Sequence, residues 1–131
     1  MKRENAVLLH FFKKIATTWI NLQDAYTVEA STVGTWAQIG YNAPGTYANS
    51  TSTTTNFKYS DDTEDDGSQS VWTAEALVTL NDCTKGGTWT ATAKPDHDAD
   101  KGTTYVGIET GGEPLCTGLT PSFDKLTRTT N

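Results

Sequence analysis

Asp96, Asp98 and Asp100, followed by Gly102, stand at alternate positions, the spacing of the early oxygen ligands in a calcium loop. Carboxylates placed in this way can converge on one hard cation. The match is incomplete. Lys101 holds the place of the turn glycine, and Gly107 the place of the last, bidentate glutamate. A solvated acidic loop is the preferred reading and calcium the alternative. A second run, Asp61-Asp62-Thr63-Glu64-Asp65-Asp66-Gly67, reads as a solvated loop between strands. His97, between two aspartates, reads as a loop residue rather than a base. There is no nucleophile elbow and no His-Glu-x-x-His. Carboxylates are so numerous that no one pair is singled out, and no enzymatic activity is expected.

Four tryptophans could serve a different chemistry, stacking on sugar rings. Spacing assigns three of them to packing. Trp19 falls on a helical stripe, and Trp72 and Trp89 fall on apolar strand faces. Trp36 lies in a connection and is left free to meet a ligand. A small extracellular carbohydrate-binding module is therefore the alternative function, with Trp36 as its contact residue and a polysaccharide as its partner.

The elements that would position these residues follow from periodicity. Leu8, Phe12, Ile15, Trp19, Leu22 and Tyr26 step by four and three, which predicts a helix over residues 5–30, uninterrupted by Gly or Pro. Residues 31–56, with Gly34, Gly40, Pro44, Gly45 and a Ser/Thr/Asn tract, read as a long surface connection. Asn49-Ser50-Thr51 matches a glycosylation sequon, which such a tract produces readily by chance. From Asn56 onward the period becomes two. Phe57 and Tyr59, Trp72 to Leu80, Trp89 to Ala93, and Val106 with Ile108 give four antiparallel strands, each with one apolar face. Residues 57–131 thus form a β-sheet head. Helix and sheet together make one α+β domain spanning residues 1–131.

Composition sets the outer bounds. The chain has 131 residues, enough for one domain, with 35% hydrophobic and 20% charged residues. A net charge of −6 repels phosphate backbones, so nucleic acid is not an expected partner. The apolar runs Ala6-Val7-Leu8-Leu9 and Phe11-Phe12 are split by His10. They fall short of the ~20 residues of a spanning helix, and no signal peptide is expected in them. The two cysteines, Cys83 and Cys116, lack the spacing of a zinc site. Two cysteines in a Thr-rich, surface-like chain suit an oxidising compartment and a disulfide; two free buried thiols are the other reading. Closing the loop from 83 to 116 would contribute roughly 3.5–4 kcal/mol in the chain-entropy model.

The order of these features resembles the type IV pilins and the related pseudopilins of type II secretion. Leu22-Gln23-Asp24-Ala25-Tyr26, Glu29 and Gly34-Thr35-Trp36 are similar to the end and exit of the pilin spine helix. Cys83 and Cys116 stand where a C-terminal disulfide clasp would be, and Leu119-Thr120-Pro121-Ser122-Phe123 resembles the returning final segment. The resemblance covers roughly residues 15–123 and rests on order more than on any single motif. It implies a pilin-like fold in which residues 1–30 are a spine-helix remnant packed on the sheet and residues 31–56 are the connecting loop. It implies a structural, non-enzymatic subunit of a bacterial surface filament with an adhesive capacity, located extracellularly, at the cell surface or in the periplasm. Other pilin subunits are the implied partners where an anchor helix is present. Some pseudopilins hold calcium in a C-terminal loop, which bears on Asp96, Asp98 and Asp100. The family's leader glycine and Phe-Thr-Leu-Ile-Glu-like start have no counterpart here. Self-assembly of this chain alone is therefore not expected.

Thiol titration of the denatured, non-reduced protein should find no free thiol. Two free thiols would overturn the disulfide and remove the argument for an oxidising compartment.

Overall fold

The computed structural model describes residues 2–79, 85–95 and 104–111, with side chains described for 14–79 and 85–95. Helix α1 (Lys2–Ala30) is followed by a single turn, α2 (Trp36–Ile39). Six strands come next: β1 (Thr46–Ala48), β2 (Thr51–Thr53), β3 (Phe57–Thr63), β4 (Ser70–Ala76), β5 (Thr88–Pro95) and β6 (Thr104–Gly111). They form one sheet in chain order, every neighbour antiparallel. This is the expected α+β arrangement of a helix and an antiparallel sheet, with α1 lying nearest to β5, β6 and α2.

Among the described residues the sheet has six strands rather than four. The two additional strands lie in residues 31–56, the segment expected to be loop. They form a hairpin closed by Asn49 (φ 53°) and Ser50 (φ 63°), both left-handed, as a tight two-residue turn requires. Gly45 (φ 105°) opens the hairpin where a Cβ would collide with the carbonyl of Thr53. Each hairpin strand is three residues long, too short to show a period of two. The acidic run is also corrected. Asp61 and Asp62 belong to β3, and only the residues after Thr63 turn toward β4. Strand β4 stops at Ala76 instead of continuing to Leu80.

Cross-strand register explains the core. Tyr59 pairs with Ala74, which pairs in turn with Trp89. On the same-face row to one side Trp72 faces Ala91, and on the row to the other side Phe57 faces Ala76. Each large ring thus lies across from an alanine, so rings interdigitate on the diagonal. Phe57 meets Trp89 edge-on at 6.1 Å, and Tyr59 lies 6.0 Å from Trp72. Such ring pairs stabilise beyond their buried area, by about 0.5–1.5 kcal/mol each.

Among the described side chains, the buried face of the helix is Ala16, Trp19, Ile20, Gln23 and Thr27. Ile15, Leu22 and Tyr26, expected on the stripe, lie half-buried at its margin. The shift arises because two central positions are polar. Gln23 donates from Nε2 to the Gly34 carbonyl (2.7 Å) and accepts the Gly34 N–H at Oε1 (2.9 Å). The Thr27 hydroxyl donates to the Thr32 carbonyl (3.2 Å). Ser31, left-handed at φ 62°, ends the helix, and the chain reverses onto Gln23.

Gln23→Leu should lower stability by roughly 2–5 kcal/mol, because two buried backbone groups of Gly34 lose their partner at about 1–3 kcal/mol each. Gly34→Ala should cost about 1–3 kcal/mol, since its Cβ would stand 2.9 Å from Tyr26 Cε2 and 3.1 Å from Gln38 Cβ. Val28→Ala, on the exposed side, should stay within about 0.5 kcal/mol. Urea unfolding measures all three, and equal midpoints would refute the Gln23 clamp.

Candidate functional site

Beyond the Gln23 clamp, Thr35 caps α2. Its hydroxyl accepts the Gln38 N–H (3.1 Å), and its own N–H reaches Gln38 Oε1 (2.8 Å). Asp61 Oδ2, on β3, accepts the Trp36 N–H (2.9 Å), a carboxylate at the start of the helical turn. The other oxygen, Oδ1, accepts the Thr63 hydroxyl (2.7 Å), which is also 2.7 Å from Ser70 Oγ. This network presses Trp36 into the body.

Trp36 is only 2% exposed. The expectation of a loop-borne ring free to stack on a ligand is corrected. Thr35 and Asp61 hold the residue on a helical turn, and its ring packs edge-on against Tyr41 at 5.3 Å. The other candidates, Cys83, Cys116, Asp96, Asp98 and Asp100, lie outside the described residues.

Two concave features adjoin this frame. A polar cleft of about 240 Å³ separates the end of α1 and residues 32–38 from the β3–β4 turn. Tyr26, Thr32, Thr35 and Gln38 line one side; Thr63, Glu64, Asp65 and Asp66 line the other. Hydrogen bonds from Ser68 hold the exposed Asp66 carboxyl below the ordinary range. Among the described residues, no group of three His, Cys, Asp or Glu is arranged to hold a metal ion.

The second feature is a depression of about 150 Å³ lined by Trp36, Ala37, Tyr41, Asn42, Ala43 and Tyr47. Tyr47, on edge strand β1, is 59% exposed, and its ring lies 6.2 Å from that of Trp36. The sequence reading missed Tyr47. Its one signal was an aromatic residue in a polar tract with no periodic partner to pack on.

Beneath the depression, the Tyr41 hydroxyl accepts Trp72 Nε1–H (3.0 Å) and donates to the Ile15 carbonyl (3.3 Å). It therefore joins sheet, connection and helix. Burial pushes the Tyr41 hydroxyl up to about 12, against a smaller lowering by the Trp72 bond. Burial also raises Tyr59 strongly, with the neighbouring Tyr41 adding to it.

Compared with protein families, with characterised proteins and with solved structures, the chain matches none.

The raised tyrosines set the alkaline limit. A hydroxyl that titrates near 10 when unfolded and near 12 when folded adds stability that is whole below pH 10 and lost as pH climbs toward 12. For Tyr41 the loss is roughly 3 kcal/mol. Tyr41→Phe should shallow that alkaline limb while lowering stability at pH 7 by about 1–3 kcal/mol, since Trp72 Nε1–H loses its acceptor. Chemical unfolding at pH 7, 10 and 11.5 tests both effects. An unchanged alkaline slope would refute the assignment.

Proposed function

We propose that the chain forms the globular, outward-facing part of a bacterial surface filament subunit of the pilin or pseudopilin kind, a structural role without catalysis. One observation supports the reading most. Helix α1 has 29 residues, about 43 Å at 1.5 Å per residue. The sheet it packs on has six strands, about 24 Å across, and its longest strands have eight residues, about 26 Å. A helix of that length outruns the sheet in either direction. It can serve at one end as the second layer of the core and at the other as a rod. The Gln23 clamp ties the C-terminal part of α1 to the head. The same reading carries the proposals of an extracellular or cell-surface location and of neighbouring subunits as partners. No helix among the described residues is long and apolar enough to cross a membrane.

The alternative, a carbohydrate-binding module built on Trp36, loses its contact residue to burial. Immunogold labelling of source cells with an antibody raised against this domain distinguishes the two. Gold spaced along surface filaments is expected. Label confined to cell-associated or secreted polysaccharide, with filaments bare, would overturn the filament reading.

A further inference from the structure

The fold gives the sequon Asn49-Ser50-Thr51 a setting that composition alone does not. Asn49 and Ser50 are the two turn residues of the β1–β2 hairpin, both left-handed and both exposed. Asparagine is among the few residues other than glycine that tolerate this backbone, but aspartate and glycine serve such turns as well. Only asparagine brings an amide nitrogen. Among the described residues, none hydrogen-bonds to the Asn49 carboxamide. The middle residue is not proline, and Thr51 supplies a hydroxyl at the third place, where it donates to the Ala48 carbonyl (2.8 Å) at an exposed position. No other asparagine in the chain is followed at the second position by serine or threonine.

The hairpin can also present this segment to an enzyme. β1 is an edge strand, paired with β2 over three register positions. Opening the tip gives up that short ladder and the bond from the Asp61 N–H to the Ser50 carbonyl (2.9 Å). The long strands β3 to β6 and the rings between them stay paired. An acceptor asparagine inside one of those strands would instead require the core to unfold.

We propose that Asn49 is an N-glycosylation site of the folded chain, taking an oligosaccharide from a polyprenyl diphosphate carrier by the action of a membrane-bound oligosaccharyltransferase. Asn49 Nδ2 attacks the anomeric carbon of the first sugar. The new C–N bond forms as the bond from that carbon to the diphosphate oxygen breaks. Polyprenyl diphosphate leaves with the bonding electrons, the amide gives one proton to a base of the transferase, and nothing is oxidised or reduced. An amide nitrogen is a weak nucleophile because its lone pair is shared with the carbonyl, so the transferase has to grip the acceptor closely. The Thr51 hydroxyl exchanges its bond to Ala48 for one to the transferase and is the recognition group. The modification requires passage through a compartment that holds such an enzyme, and no filament, so its failure and that of the filament reading are separately measurable.

Two measurements test the proposal. Peptide mass spectrometry of the chain recovered from source cells should find an oligosaccharide on Asn49, and enzymatic release by peptide-N-glycosidase should leave aspartate there. In vitro, the folded full chain is incubated with a single-subunit oligosaccharyltransferase that requires only Asn-x-Ser/Thr, together with its lipid-linked oligosaccharide. Its intact mass should rise by one oligosaccharide. Asn49→Asp, which tolerates the left-handed turn but lacks the amide nitrogen, should gain none. Thr51→Ala should slow transfer at least about tenfold, the scale of one lost recognition hydrogen bond, and Thr51→Ser should keep part of it. Thermal melting checks that each chain offered is folded. A bare Asn49 in the chain from source cells would overturn the proposal, as would transfer only to the urea-unfolded chain or undiminished transfer to folded Thr51→Ala. Sugar released by β-elimination from the Ser/Thr tract, with Asn49 bare, would overturn it in favour of O-linked modification.

Discussion

The carboxamide of Gln23, buried in the helix and bonded at both ends to the backbone of Gly34, governs how the two halves of the fold meet. A helix end is a costly place to bury, because its last carbonyls have no partner within the helix and the chain leaving it needs partners of its own. Here a side chain two turns back supplies both a donor and an acceptor to one residue of the exit. The reversal brings Val33 into the core, with its N–H on the Gly67 carbonyl (3.0 Å) of the β3–β4 turn. It also starts α2 in register with Asp61 on β3. Helix, connection and sheet are thereby tied by directional bonds as well as by apolar contact. Apolar contact alone would leave the helix free to slide along the ridge of rings.

The rings themselves impose a second requirement. Trp19, Trp36, Trp72, Trp89 and Tyr59 are almost wholly buried and bring polar atoms with them. Trp72 finds the Tyr41 hydroxyl, whereas Trp19 Nε1, Trp36 Nε1 and the Tyr59 hydroxyl find no partner among the described residues. The fold accepts these costs because the alanines at 74, 76 and 91 give the rings room to close against one another. A larger residue at any of the three would force the ring across from it out of its place.

Much of this was legible in the chain, and the remainder was hidden for identifiable reasons. Spacing alone places Trp19, Trp72 and Trp89 on buried faces, and all three are fully buried. The change of period expected near residue 56 falls one residue before the start of β3. What hydropathy cannot register is a polar side chain whose partner is backbone. Gln23, Thr27, Ser52 and Ser70 are all fully buried, and each is satisfied by a hydrogen bond that depends on tertiary structure. Trp36 was misplaced for the same reason. Its turn is four residues long, too short for a helical period, and is held by a cap at Thr35 and a carboxylate 25 positions away at Asp61. The β1–β2 hairpin escaped because its Thr and Ser residues belong equally to loops and to exposed strands.

That hairpin links the construction of the fold to what its surface can do. β1 is the edge of the sheet, and an exposed aromatic on an edge strand invites pairing with other chains. The segment limits this hazard by being only three residues long, by flanking Tyr47 with Thr46 and Ala48, and by following Pro44 and Gly45. The Ser52 hydroxyl holds the approach by donating to the Pro44 carbonyl (2.6 Å). Tyr47 is thus kept exposed on a strand that is anchored yet too short to recruit another strand. A position selected for packing alone would have turned this ring inward, as Tyr41 and Tyr59 are. A position selected for solubility alone would carry a polar residue, as position 46 carries a threonine. The construction of this edge therefore leaves an outward ring on a pinned strand.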